Sequence, residues 1–117
     1  MLARVMAMRR GIAVAGTHGK TTTSSMIAHA LHETGRDPTF LVGGEVNDRG
    51  SNAGVGNGEW LVAEADESDG SLLNLRPEIA VVTNVELDHH SHYACLDEVH
   101  EVFRRFVALL PSHGLLV

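Results

Sequence analysis

The sequence has little of several features that mark particular classes of protein. Cys95 is its single cysteine, which excludes an intramolecular disulfide and is typical of a reducing compartment. Aromatic residues make up only 4% of the chain, so a core would consist mainly of Val, Leu, Ile and Ala, as in parallel strands covered by helices. No apolar run is long enough to span a bilayer, and the basic start at residues 1–10 leads into no secretory signal pattern. The sequence therefore predicts a cytoplasmic protein without a membrane segment.

Positive charge is also scarce. Nine Lys and Arg residues stand against fifteen Asp and Glu residues, which gives a formal net charge of −6. Proteins that bind nucleic acid neutralise its phosphates with a basic face, so this composition argues against a nucleic-acid partner. An anionic small ligand would need a local binding device. The 117 residues are enough for one domain with a core of its own.

Strand and helix signals alternate along the chain. Short apolar runs predict strands, and apolar residues spaced by three and four predict helices. The predicted elements are strands at residues 11–15, 39–42, 60–63, 79–83 and 114–117, helices near residues 20–34 and 96–110, and a Gly- and Asn-rich loop at residues 43–58. Strands separated by helical crossovers predict an α/β fold with a parallel sheet in three layers.

The two predicted helices have apolar faces of different clarity. The first has a stop at Gly35, and its predicted face consists of Thr23, Ile27, Ala30, Leu31 and Thr34. The second has the clearest face in the chain, formed by Leu96, Val99, Phe103, Phe106, Val107 and Leu110. Asp97 and Glu98 lie in the first turn of the second helix, where negative charge is favoured by the helix dipole.

A glycine-rich segment, GTHGKT at residues 16–21, follows the first predicted strand. Glycines let the backbone fold tightly around one anion, and the positive end of the helix adds to the attraction. Lys20 can reach the β and γ phosphates of a nucleotide, and the Thr21 hydroxyl can join a magnesium shell. The common form, G-x-x-x-x-G-K-[ST], is not met because Val14 stands where its first glycine should be. The alternative interpretation is a glycine turn with an incidental lysine.

An acidic segment, EADESD at residues 64–69, follows the third long strand. Magnesium usually takes one or two carboxylates, with water and phosphate completing its octahedron. Because ligands collect at the carboxyl ends of parallel strands, Glu64 is the favoured metal ligand and Asp66 the second choice. Glu67 and Asp69 stay open, and the alternative for the whole segment is a solvated acidic turn.

A third polar segment, TNVELDHHSH at residues 83–92, follows the strand at 79–83. Its histidines and carboxylates, with Cys95 nearby, suggest a zinc site, but an α/β core of this size needs no structural zinc. A single His in a magnesium or phosphate site is favoured, and His89 lies nearest the strand end. His90 and His92 are interpreted as surface residues. For His18, an orienting role for the backbone and a ligand role are both possible.

Together these motifs resemble the central domain of the Mur ligases. The loop GTHGKTTT at residues 16–23 is similar to that family's shortened phosphate loop, and Thr83-Asn84 followed by Asp88-His89 matches its next motif. The acidic segment is similar to that of the alanine-adding members, supported by Gly43-Gly44, Ser51-Asn52-Ala53 and Leu75-Arg76-Pro77. The related ligases that recycle murein tripeptide share the loop but usually differ around the acidic segment.

The resemblance implies an ATP-dependent ligase that joins L-alanine to UDP-N-acetylmuramate through an acyl phosphate. It implies that Lys20 holds the ATP phosphates and that Lys20, Glu64 and His89 serve catalysis. It implies Mg²⁺ ligands at Thr21, Glu64 and His89. The implied nucleotide-binding residues are Gly16, Thr17, His18, Gly19, Lys20, Thr21, Thr22 and Asn84.

Mur ligases have three domains, and this chain resembles only the first part of the middle one. Residues 1–10 are interpreted as the preceding linker, and residues 11–117 as the amino-terminal part of the ATP-binding domain. The resemblance therefore does not imply ligase activity for these residues alone. The alternatives are a nucleotide-binding module without chemistry of its own and a general phosphate-loop NTPase or kinase.

Overall fold

The computed structural model describes residues 9–41, 53–65, 73, 75–85 and 96–117. Within these residues the chain forms a six-stranded sheet with strand order β3-β2-β4-β1-β5-β6. The strands are β1 (Arg10–Ala15), β2 (Thr39–Leu41), β3 (Ala53–Gly54), β4 (Trp60–Glu64), β5 (Ile79–Val82) and β6 (Leu115–Leu116), and the helices are α1 (Lys20–Glu33) and α2 (Leu96–Val107). The predicted α/β fold with a parallel sheet is therefore confirmed, except for the pairing of one edge strand.

The two helices cover opposite faces of the sheet. Ala13 and Ala63 belong to a buried cluster with Val99, Phe103 and Phe106 of α2. Because side chains alternate along a strand, Ile12, Val14 and Val62 point to the other face, where α1 packs against β1 and β4. All these strand residues are buried, which accounts for the continuous apolar runs in the sequence.

One edge of the sheet departs from the predicted parallel arrangement, within the segment predicted as a loop at residues 43–58. β3 lies within that segment and pairs antiparallel with β2. Ala53 and Gly54 carry no apolar alternation, so the sequence pattern could not indicate a strand. Phe40 stabilises the pair by packing over Gly54: a Cβ at Gly54 would lie 2.6 Å from Cε1 of Phe40. The rest of the predicted loop lies partly outside the described residues.

The predicted face of the first helix was only partly right. Ser24 and Ala28 are its buried residues, flanked by half-buried Ile27, whereas Ala30 and Thr34 are exposed. Small residues on the buried face let a helix approach a sheet closely, and a pattern search for large apolar residues misses them. The helix ends as predicted, with Gly35 at φ 81°.

Other boundaries differ from the sequence prediction by one to three residues, the largest difference being the end of α2 at Val107. β1 begins at Arg10, β5 ends at Val82, and β6 is limited to Leu115 and Leu116. In the second helix, Val102 is buried in addition to the predicted Val99, Phe103 and Phe106. No helix in the described part of the chain is both long and apolar enough to cross a membrane.

Candidate phosphate-binding site

The central position of β1 brings together the segments that the sequence analysis singled out. β1 lies between β4 and β5, and all these strands run parallel. Their carboxyl ends therefore meet at one edge of the sheet, where ligands collect in folds of this kind. Residues 16–19 leave β1 at this edge, Glu64 ends β4, and Thr83 and Asn84 follow β5.

The loop between β1 and α1, residues 16–19, is tightly constrained at Gly16. This residue has φ 142°, and a Cβ on it would overlap the hydroxyl oxygen of Thr83 and lie 3.1 Å from the Thr83 amide nitrogen. A residue with a side chain would meet both a conformational and a steric obstacle here. Glycine at this position therefore lets the loop lie directly against the end of β5.

The first turn of α1 contains no acidic side chain that would offset the partial positive charge of the helix N-terminus. Gly19 occupies the N-cap position at φ 88°, no side chain caps the helix, and the first turn contains no acidic residue. By contrast, α2 has Asp97 and Glu98 in its first turn. A helix N-terminus with exposed amide groups and a partial positive charge attracts anions. The start of α1 is therefore suited to a phosphate group.

Thr21, in the first turn of α1, contacts the end of β4. Its hydroxyl lies 3.2 Å from each carboxylate oxygen of Glu64 and donates a hydrogen bond to that group. Two ligands at right angles on Mg²⁺, each at about 2.1 Å, are separated by about 3 Å. The Thr21 and Glu64 oxygens are thus of the right chemistry and spacing to share a magnesium ion.

Within the described ranges, with their gaps, no three His, Cys, Asp or Glu side chains form a metal-binding cluster. A magnesium ion does not require such a cluster, because water and phosphate oxygens complete its shell. The pair of oxygen donors at Thr21 and Glu64 therefore fits magnesium held jointly by protein and nucleotide.

Asn84, which follows β5, contacts the backbone of the loop between β1 and α1. Its side-chain oxygen accepts a hydrogen bond from the His18 amide at 3.0 Å, and its side-chain nitrogen donates to the His18 carbonyl at 3.0 Å. The Thr83 hydroxyl donates to the same carbonyl at 2.6 Å. Thr83 was not among the residues predicted for the site; its place beside Asn84 at a strand end is the signal that could have identified it.

The structure brings most of the predicted site residues to this edge. Gly16 and Thr17 are buried, Lys20, Glu64 and Asn84 are half-buried, and His18, Gly19, Thr21 and Thr22 are exposed. His89 lies outside the described residues, as do Asp66, Glu67, Asp69, His90 and His92. The individual roles predicted for these residues stay predictions.

The chain is similar in sequence to proteins of one known family. Residues 14–117 match the Mur ligase middle domain. The chain is 63% identical over 116 residues to the UDP-N-acetylmuramate–L-alanine ligase of Rubrobacter xylanophilus, covering 99% of this chain but 26% of that protein. The chain thus spans about a quarter of the length of this relative.

Solved structures of two such ligases have a similar fold. A UDP-N-acetylmuramate:L-alanyl-gamma-D-glutamyl-meso-diaminopimelate ligase from Neisseria meningitides superposes with a TM-score of 0.84 at 35% identity, covering 96% of this chain and 40% of that one. The UDP-N-acetylmuramate-alanine ligase MurC from Thermotoga maritima superposes with a TM-score of 0.77 at 32% identity, covering 92% and 25%. This chain belongs to the Mur ligase family, which it matches through that family's middle domain.

Proposed function

We propose that this chain forms part of the ATP-binding site of a ligase that joins L-alanine to UDP-N-acetylmuramate in peptidoglycan precursor synthesis. The observation that carries the proposal is the contact between Thr21 and Glu64 beside the uncapped start of α1. It supports a joint site for a phosphate chain and a magnesium ion. The 63% identity to an alanine-adding ligase supports the choice of substrate.

The proposed chemistry makes a carboxylate reactive toward an amine. The carboxylate of UDP-N-acetylmuramate attacks the γ phosphorus of ATP, giving an acyl phosphate and ADP. The amine of L-alanine then attacks the acyl carbon, the phosphate leaves, and an amide forms with loss of a proton. Phosphorylation is needed because a free carboxylate has no adequate leaving group.

This chain's part in that reaction is to hold the phosphates. The amides of Thr17 and His18 already donate to Asn84, so we assign the anion to the following turn, residues 19–22. Lys20 supplies positive charge to the phosphates, and Thr21 and Glu64 hold the magnesium ion. That ion, when bound, neutralises phosphate charge and polarises the reacting phosphoryl group. His89 is proposed to hold a second metal, on the resemblance alone.

The predicted domain division is part of the proposal. Residues 11–117 would form the amino-terminal part of the ATP-binding domain, and residues 1–10 its preceding linker. The full reaction would then require further domains, and these residues alone would act as a nucleotide-binding module. A cytoplasmic location is supported by the single cysteine.

The proposal is tested first by calorimetry with a non-hydrolysable ATP analogue, with and without magnesium. We expect binding that magnesium strengthens, and a loss of more than tenfold in affinity in Lys20→Ala, because a charge-assisted hydrogen bond contributes about 1.5–3 kcal/mol. Lys20→Arg, which keeps the charge, is the matched control. Equal affinities of Lys20→Ala and the parent chain would refute the phosphate-loop assignment.

The composition offers an independent readout, because Lys20 is the only lysine in the sequence. An amine-reactive reagent followed by peptide mass spectrometry therefore reports on this one side chain, apart from the chain's amino terminus. We expect the ATP analogue with magnesium to protect Lys20 from modification. Undiminished labelling at saturating analogue would contradict the assignment.

A second candidate substrate pair comes from the Neisseria structure, whose match reaches a TM-score of 0.84. In that case the protein that contains this chain would attach a peptide instead of L-alanine. The distinction is made with that protein, UDP-N-acetylmuramate and ATP, supplying either L-alanine or the tripeptide. We expect ADP formation with L-alanine; turnover with the tripeptide alone would select the second candidate.

A further inference from the structure

The two residues that follow β5, Thr83 and Asn84, are hydrogen-bonded to the end of β1 and to the phosphate loop. Thr83 donates its amide to the Ala15 carbonyl at 3.0 Å, and Thr17 donates its amide to the Asn84 carbonyl at 3.1 Å. The first bond joins Ala15, the last paired residue of β1, to the residue after β5, and the second bond lies beyond the last pair of both strands. The first half of the loop is thus held as a continuation of the sheet.

Asn84 continues this pairing with its side chain. Its carboxamide accepts from the His18 amide and donates to the His18 carbonyl, both at 3.0 Å. A carboxamide has the same donor and acceptor groups as a peptide unit, so this contact reproduces the reciprocal pairing of a sheet. Asn is one of the few side chains that can supply both groups at once, and Asp cannot because its ionised carboxylate only accepts.

Thr83 adds a further bond at the same point. Its hydroxyl donates to the His18 carbonyl at 2.6 Å, and the close packing against Gly16 holds that hydroxyl in place. The His18 carbonyl therefore accepts from both side chains. The last loop residue before the helix, Gly19, follows directly and sets where the amides of the first turn point.

We propose that Thr83 and Asn84 are positioning residues that fix the phosphate loop in its binding conformation before a nucleotide arrives. The physical reason is that an unheld glycine-rich loop loses conformational entropy when it closes on a ligand, which weakens binding. A loop ordered beforehand by β5 avoids this loss. The inference rests on the proposed nucleotide binding and assigns Asn84 a role through His18.

The test uses the 117-residue chain with Asn84→Ala and Asn84→Asp, and Asn57→Asp as the control for added charge at an exposed position. The first readout is hydrogen exchange of the His18 amide in the nucleotide-free protein. We expect at least tenfold faster exchange in Asn84→Ala, because the acceptor of that amide is lost. Asn57→Asp is expected to leave the exchange rate unchanged.

The second readout is the affinity for the ATP analogue with magnesium. We expect Asn84→Ala to weaken binding about tenfold, as the loss of two neutral hydrogen bonds would. Asn84→Asp is expected to bind the analogue at least as weakly as Asn84→Ala does, because the second carboxylate oxygen of the aspartate would face the His18 carbonyl. Thr83→Val should bind the analogue more weakly than the parent chain. Thr83→Ser, which keeps the hydroxyl, should bind it with the affinity of the parent chain.

The two readouts separate this inference from the proposed function. The inference is supported if Asn84→Ala shows both faster His18 exchange and weaker binding, and if Thr83→Ser binds the analogue better than Thr83→Val does. Unchanged exchange in Asn84→Ala overturns it, and so does faster exchange with unchanged affinity. If the parent chain fails to bind the analogue while its His18 amide is protected, the proposed function fails and the loop is held for another purpose.

Discussion

The hydroxyl of Thr21 lies 3.2 Å from both carboxylate oxygens of Glu64, joining the first turn of α1 to the end of β4. This contact places a negative charge beside a helix start that is otherwise suited to an anion. A phosphate bound at the same helix start would be repelled by the Glu64 carboxylate, and a magnesium ion between the two groups would remove that repulsion. Its consequences for binding can be measured directly.

Glu64→Gln is expected to lower nucleotide affinity only when magnesium is present. With magnesium, affinity should fall at least tenfold, because a charged metal ligand is lost. Without magnesium, affinity should stay equal or rise, because a carboxylate that repels phosphate has been removed. Titration calorimetry at both conditions provides the measurement.

Glu59→Gln serves as the control for Glu64, since Glu59 precedes the same strand at its opposite end. Its magnesium response should match that of the parent chain. If Glu64→Gln responds to magnesium as the parent does, Glu64 belongs to a solvated turn and the metal assignment is lost.

Gly16→Ala is expected to weaken both the fold and the site. The added Cβ would overlap the Thr83 hydroxyl at a φ of 142°, and such strain costs about 1–3 kcal/mol of unfolding free energy. Gly35→Ala is the matched control, because Gly35 has φ 81° with no atom within 4 Å of its added Cβ. Urea unfolding and nucleotide titration should show a stability loss in both variants, but a loss of affinity in Gly16→Ala alone.

Ser24→Ala is expected to stabilise the chain. Ser24 is fully buried, and its hydroxyl has no hydrogen-bond partner in the part of the chain that the structure describes. Removing an unsatisfied hydroxyl and improving helix propensity should raise the unfolding free energy by about 0.5–2 kcal/mol. The exposed neighbour Ser25 gives the comparison, since Ser25→Ala should gain only the smaller propensity contribution. A lower stability of Ser24→Ala than of the parent would show that the hydroxyl is paired.

Acid is expected to destabilise the fold through Glu78. Arg10 donates two hydrogen bonds to this carboxylate, at 2.8 and 2.9 Å, which hold the pKa of Glu78 below its ordinary value. A carboxyl whose pKa is lower in the folded state stabilises the fold above its unfolded pKa, and this stabilisation is lost as the pH falls through the folded pKa. Between pH 6 and pH 3, the parent chain should therefore lose more stability than Glu78→Gln.

Thermal unfolding at both pH values measures this difference. Glu59→Gln is the control, because Glu59 makes a single 3.2 Å contact with Arg10 and its side chain is 62% exposed. Parallel losses of stability in the parent chain and Glu78→Gln would show that the ion pair contributes nothing to the acid response.

The sequence predicted the elements of the fold well where one physical signal dominated. The buried runs in β1 and β4 and the amphipathic face of α2 were found because large apolar residues recur at fixed spacing. β3 was missed because Ala53 is exposed and Gly54, which packs against the Phe40 ring, has no apolar side chain to reveal a pattern. The face of α1 was misjudged because Ser24, a polar residue, occupies its buried centre.

The order of the strands in the sheet, which the sequence does not reveal, limited how much of the site could be predicted. Placing chemistry after strand ends predicted that these segments would meet at one edge of the sheet, and the structure places Thr21 against Glu64 and Asn84 against His18 there. The pairing of the Asn84 side chain with the His18 backbone depends on β5 lying directly beside β1. No local sequence pattern reports such a contact between residues 66 positions apart.

The register of the sheet sets the spacing of the functional groups in the site. Val14 is paired with Glu64, and Ala15 with Val82, so the lengths of β1, β4 and β5 fix where the loop, the carboxylate and the Thr83-Asn84 pair stand relative to one another. Adding or deleting one residue in any of these strands would displace its functional group by about 3.3 Å and turn it to the opposite face. The connections between the strands carry no such restriction. Length variation in proteins built on this plan should therefore accumulate in the connections and be excluded from the three central strands.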